Sequence, residues 1–190
     1  MDERFRHFSL KKYLTDKTPK AITAIGNLDI LSNKTLAVFS SSKCPGSIIL
    51  KTYDLMKKIC RGESQFAGMT VISGFHSPME QECLNILLRG RQPVILCPAR
   101  NINGMRIKAE YKKPFEEGRL LVLSPFFEKE KRISSERSLY RNRFVAALAD
   151  TIFAPHVASN GKTEQLCREV KAWNKDICTF EDRADDIRFI

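Results

Sequence analysis

The chain is poor in the residues on which covalent and metal chemistry usually rest. It has three histidines and one tryptophan in 190 residues. Its six cysteines, Cys44, Cys60, Cys83, Cys97, Cys167 and Cys178, are scattered, with no C-x-x-C pair and no histidine at zinc-like spacing. Neither a disulfide framework nor a metal site is expected, and no cofactor is implied. No apolar run approaches the roughly 18 residues that span a bilayer, and the start, Met1-Asp2-Glu3-Arg4-Phe5-Arg6, is charged. The expectation is a cytoplasmic protein with no membrane partner. Also missing are G-x-G-x-x-G and the Walker loop: Gly161-Lys162-Thr163 lacks the upstream glycine. A dinucleotide cofactor and NTP hydrolysis are both disfavoured. There is no internal repeat and no low-complexity segment.

What is abundant is positive charge. Lys and Arg number 32 against 22 Asp and Glu, a net charge of +10 with a pI near 9.4. A polyanionic partner follows as the first expectation. Acidic residues cluster only near the end, at Glu181, Asp182, Asp185 and Asp186. A hydrophobic content of 43% over this length supports one good core. Residues 34–190 are read as a single domain, and residues 1–33 as a basic helical extension packed on it.

Short apolar runs at Thr35–Phe39, Thr70–Ser73, Pro93–Cys97, Arg119–Leu123, Thr151–Ala154 and Asp176–Phe180 read as strands buried on both faces. Helical patterns lie between them, at Ser47–Cys60, Pro78–Leu88, Gly104–Glu117, Leu139–Ala149 and Lys162–Trp173. The alternation predicts an α/β, Rossmann-like fold, with a mainly parallel sheet and helices on both faces. Ser77-Pro78-Met79-Glu80 carries a cap, a first-turn proline and a capping-box glutamate, a strong start signal. The polar stretch from Phe126 to Ser138 reads as a mobile loop.

In such a sheet, ligands sit beyond the carboxyl ends of the strands. The residues there include Ser41, Ser42 and Lys43 after the first strand, Gly74 after the second and Arg100 after the third, with Asn160, Gly161, Lys162 and Thr163 before the last helix. Glycine lets backbone amides approach, hydroxyls donate, and the cations neutralise phosphate. Arg141-Asn142-Arg143 reads as two guanidinium forks and an amide opening an apolar helix, a phosphate-binding layout. Exposed rings would stack bases, and Phe75, Tyr111, Phe126, Phe127 and Tyr140 lie at or near this rim. Trp173 reads as packing.

Support for catalysis is thin. His76 beside Ser77 lacks a carboxylate partner, and Ser77 serves better as a cap. Glu164 is the one carboxylate to test as catalytic, against its plain role as a first-turn residue. Cys44, beside Lys43, is the cysteine placed for reactivity, with a passive thiol the more ordinary reading.

Together these motifs resemble the DNA-processing protein DprA (Smf) family, over roughly Pro19 to Trp173. Its approach segment resembles Pro19 through Asn27 with Leu31, and its strand-one turn Leu36-Ala37-Val38-Phe39-Ser40-Ser41-Ser42. Its Ser-Gly appears in Ile72-Ser73-Gly74, its Arg-Asn-Arg at 141–143, and its later phosphate turn near Asn160-Gly161. The chain departs from the family at Ser40-Ser41-Ser42, where Gly-Ser-Arg is usual, and at Glu80, where the family has Asp. The resemblance implies single-stranded DNA binding at the carboxyl edge, homodimerisation and a role in loading recombinase during DNA uptake and recombination. A nucleotide is the alternative ligand. A related fold, that of the lysine-decarboxylase-like phosphoribohydrolases, resembles Asn160-Gly161-Lys162-Thr163-Glu164 and would make the chain a nucleoside-monophosphate N-glycosidic hydrolase. A non-binding scaffold is the third reading, favoured if Arg141 and Arg143 are held in internal ion pairs.

Overall fold

A computed structural model describes residues 7–127, 134–180 and 187–190. Among them run eight strands: β1 (Thr23–Gly26), β2 (Thr35–Val38), β3 (Thr70–Ser73), β4 (Val94–Leu96), β5 (Leu120–Ser124), β6 (Thr151–Phe153), β7 (Asp176–Phe180) and β8 (Ile187–Phe189). The helices are α1 (His7–Leu14), α2 (Gly46–Arg61), α3 (Pro78–Arg89), α4 (Ala109–Glu116), α5 (Ser135–Leu148) and α6 (Lys162–Ala172). The strands form one sheet in the order β1-β5-β4-β3-β2-β6-β7-β8. β2 through β7 are parallel to their neighbours among one another, while β1 and β8 pair antiparallel at the two edges. The strand order reverses between β2 and β6, so the crevice typical of doubly wound sheets opens there.

Period-two alternation sorts each strand's side chains between two apolar layers. Ala37, Ile72, Ile95 and Leu121 join α1, α5 and α6 on one face. Leu36, Val38, Val71, Val94 and Leu120 join α2, α3 and α4 on the other. Both faces are dry, so the strands read as unbroken apolar runs. Phe144 to Leu148 of α5 and the following Ala149 are all buried, the alanines letting the helix lie close to the sheet. Lys175 ends that helix: its ammonium donates to the carbonyls of Ala146, Ala147 and Ala149 at 2.5–2.8 Å, satisfying the orphan acceptors of the last turn. At the other crossover, Ser77 and Glu80 form the predicted capping box with Pro78 in the first turn.

Three local expectations are corrected. The helix read from Gly104 begins only at Ala109, because Asn101 accepts from the Asn103 N–H and Gly104 takes a positive φ, which fixes a turn instead. The segment Ser135–Ser138, read as loop, is helical: Ser134 caps α5 by accepting from the Arg137 N–H. Residues 128–133 of that expected loop, and the acidic cluster at 181–186, lie outside the described residues. Third, within residues 7–33 the chain is not only helical, since Thr23–Gly26 adds the antiparallel edge strand β1.

Candidate nucleic-acid interface

Because α5 begins four residues earlier than expected, Arg141-Asn142-Arg143 sits in mid-helix rather than at the helix start. The two arginines, two positions apart, leave the helix in different directions and enter different sites. Arg141 is only 4% exposed. Its Nη1 donates to the Cys97 carbonyl at 2.8 Å and its Nε to Asn142 Oδ1 at 2.7 Å. It passes so close to Gly74 that a Cβ there would lie 1.1 Å from Nη1, so glycine at 74 is what admits the guanidinium. Burial lowers the pKa of Arg141, partly opposed by the charge of Glu80. Its Nη2 has no partner among the described residues and is not sealed from solvent.

Arg141 opens into a cavity of about 260 Å³ at the carboxyl ends of β3 and β4. Gly74 and Phe75 form one side, Pro98, Ala99 and Arg100 another, and Met105, Arg106 and Lys108 before α4 close it together with Tyr111 of α4. Arg100, Arg106 and Lys108 are exposed and carry the charge. Phe75 holds φ at +47°, a left-handed conformation that a bulky residue adopts only at a cost of about 1–3 kcal/mol, as is common beside binding sites. Gly74, Arg100 and Arg141 are therefore brought together, with Phe75 and Tyr111 as apolar walls. Arg106 and Lys108 escaped the sequence reading; their signal is an alternating cation pair in an extended stretch just past a strand end.

Arg143 goes elsewhere. It makes a two-pronged pair with Glu169 of α6, both contacts at 2.6 Å. This hydrogen-bonded pairing raises the arginine's pKa and lowers that of Glu169. The scaffold condition is thus met for Arg143 and not for Arg141, which contacts a carbonyl and an amide rather than a carboxylate. On this second side, Arg143 and Tyr140 join Lys17–Ala21 and Pro125–Phe127 around a groove of about 1070 Å³.

The residues after β2 and before α6 line neither cavity. Ser41 is buried; its N–H donates to the His156 carbonyl and its hydroxyl accepts from the Ala158 N–H, stitching the two loops across the strand reversal. Ser42 and Lys43 are exposed beside it. Asn160 adopts φ +57°, and Gly161 caps α6, with Lys162 and Thr163 in the first turn. Glu164 accepts from the Asn160 N–H at 2.8 Å and from Arg168 at 3.0 Å, the bonds of a first-turn residue.

Glu80 does more than cap its own helix. Its carboxylate also receives the N–H groups of Ser40, His76 and Ser77, at 3.3, 2.9 and 3.2 Å. An internal anion thus fills the nest of amides between the ends of β2 and β3, where glycine-rich turns in other sheets hold phosphate. Burial pushes the thiols of Cys83, Cys97 and Cys178 up to about 12 and raises Cys44 as well, which leaves them poor nucleophiles at neutral pH. No group of three or more metal-ligating side chains occurs among the described residues, and none of their helices is long and apolar enough to cross a membrane.

A doubly wound, mainly parallel sheet with helices on both faces and a cationic cavity at its carboxyl edge defines a Rossmann-like α/β protein. The chain belongs to the DNA recombination-mediator protein A family, whose family model matches residues 4–187. Among solved structures, it is similar to DNA processing protein A (DprA) from Streptococcus pneumoniae, with 16% identity, a TM-score of 0.74 and 95% of this chain covered. It is also similar to DNA processing protein A from Helicobacter pylori, described for its single-stranded DNA binding mode, with 18% identity, a TM-score of 0.70 and 93% of this chain covered. The match spans 60% of the S. pneumoniae chain and 79% of the H. pylori chain. No curated protein matches the sequence.

Proposed function

We propose that the chain binds single-stranded DNA and acts in DNA processing and recombination, taking a phosphate of the strand into the cavity between Gly74, Arg100 and Arg141. The observation that carries this reading is Arg141: a nearly buried guanidinium with two donors fixed by the protein and Nη2 left for a ligand. A preorganised fork in a partly dry site loses little entropy on binding an oxyanion. Arg100, Arg106 and Lys108 at the mouth supply long-range attraction, while Phe75 and Tyr111, expected as exposed stacking rings, are buried and give the cavity only its apolar walls. Lys43 and Lys162 extend the positive edge beyond the cavity. Membership of the family adds the rest of the proposal: a cytoplasmic protein that works as a homodimer and hands single strands to a recombinase.

Fluorescence polarisation with labelled oligo-dT tests this, comparing wild type with an Arg106→Glu/Lys108→Glu double variant and adding excess AMP as competitor. Both positions are exposed, so the fold is preserved. The expected result is a loss of affinity of about tenfold or more in the variant and little competition by AMP. Equal binding by both proteins, or none by wild type at low salt, overturns the reading. Full displacement by AMP points to a nucleotide ligand instead.

A further inference from the structure

The groove on the α5 side is about four times the volume of the cavity that holds Arg141. At about 1070 Å³ it lies at the top of the ~300–1,000 Å³ range of small-ligand pockets. One wall is aromatic. Phe126 packs edge-on against Tyr140, with centroids 5.6 Å apart, and the Arg137 guanidinium lies 5.7 Å from the Phe126 ring. Tyr140 donates its hydroxyl to the Lys17 carbonyl at 2.8 Å, which ties the opposite wall to the helix. Beside this wall Phe127 stands 67% exposed. The opposite wall runs from Lys17, which ends a 3-10 turn, to Ala21, and its Lys17 and Lys20 are both exposed. Arg143 contributes shape rather than net charge, since Glu169 neutralises it.

We propose that this groove is a second binding segment for the same single strand, with bases stacking on Phe127 and the backbone running along Lys17 and Lys20. The inference rests on the single-stranded DNA reading above. Two observations favour a nucleic acid over a protein segment. Rings on one wall and ammonium groups on the other match a chain whose bases and phosphates project to opposite sides, the arrangement of single-strand grooves generally. The groove also adjoins the first cavity: Asn101, next to Arg100 at its mouth, donates its side-chain N–H to the Phe127 carbonyl at 3.0 Å. A strand anchored at Arg141 can pass over this junction into the groove, so affinity grows with strand length beyond what the first cavity alone provides.

The test compares labelled oligo-dT of about 4 and about 20 nucleotides, bracketing typical single-strand site sizes. The proteins are wild type, Phe127→Ala, Lys17→Ala/Lys20→Ala and the Arg106→Glu/Lys108→Glu variant. The expected result is a loss of about tenfold in affinity for the long oligonucleotide in Phe127→Ala, and a comparable loss in the lysine variant, with short-oligonucleotide binding unchanged. Wild-type affinity for the long strand in both groove variants, while the Arg106/Lys108 variant loses both strands, overturns the groove and leaves the first cavity intact. Failure of wild type to bind either strand removes the DNA reading itself, and the groove proposal with it.

Discussion

At the scale of single residues, Gly74 and Arg141 form one unit. The helix offers the guanidinium, but only a missing Cβ leaves room for it, and the buried side chain then finds Cys97 and Asn142 as its partners. Gly74→Ala is expected to displace Arg141 and cost about 1–3 kcal/mol, the usual range for overpacking. A double-mutant cycle checks the cause: the same alanine should cost close to nothing in an Arg141→Ala background, measured by urea denaturation. Additive effects in the cycle would mean that Gly74 is needed for its backbone alone. The sequence marks both residues as part of a site but not their contact, because the two are far apart in the chain and meet only through the β3–α5 packing. For the same reason Glu169, which holds Arg143, is invisible in a reading that treats the two arginines as a pair.

Among the elements, those with strong local signals were legible. The Ser77–Glu80 start of α3 and the strands β3 and β7, each with an apolar centre, lie where hydrophobic pattern and capping chemistry put them. β1 and β8 were not legible, because three or four residues on a half-exposed edge need neither an apolar run nor a fixed alternation. The start of α5 was missed because Ser134 and Glu136 lie within a charged stretch that carries no apolar period. What Glu80 does between elements was also hidden: a cap motif tells of its own helix, not of the Ser40 N–H at the end of β2. Glu80→Ala is therefore expected to destabilise by more than a lost cap, about 2–3 kcal/mol, since it orphans amides from two loops. Glu80→Gln, which keeps an oxygen acceptor, should cost less. A shift in urea midpoint checks both, and an alanine variant within about 0.5 kcal/mol of wild type would show that water replaces the carboxylate without loss.

For the molecule as a whole, the excess of positive charge was plain in the composition, whereas its placement was not. The carboxyl edge of the sheet, where the site is expected, divides into an Arg141 cavity on the α2–α4 face, a stitched loop at the β2–β6 reversal, and an aromatic groove on the α5 face. Sequence order lists these edge residues one after another but does not say which face each loop turns towards, so a single pocket was the natural expectation. This edge is proposed to carry a charge-based site for a single nucleic-acid strand. The most direct measurement is the salt dependence of oligo-dT binding. A linear fall of log affinity with log salt, of slope roughly −2 to −3, corresponds to three or four phosphates engaged by the cavity's cations, and the slope should drop by about 0.7 when Lys108 is replaced by alanine. A flat salt profile, or a slope that the variant does not change, would contradict it.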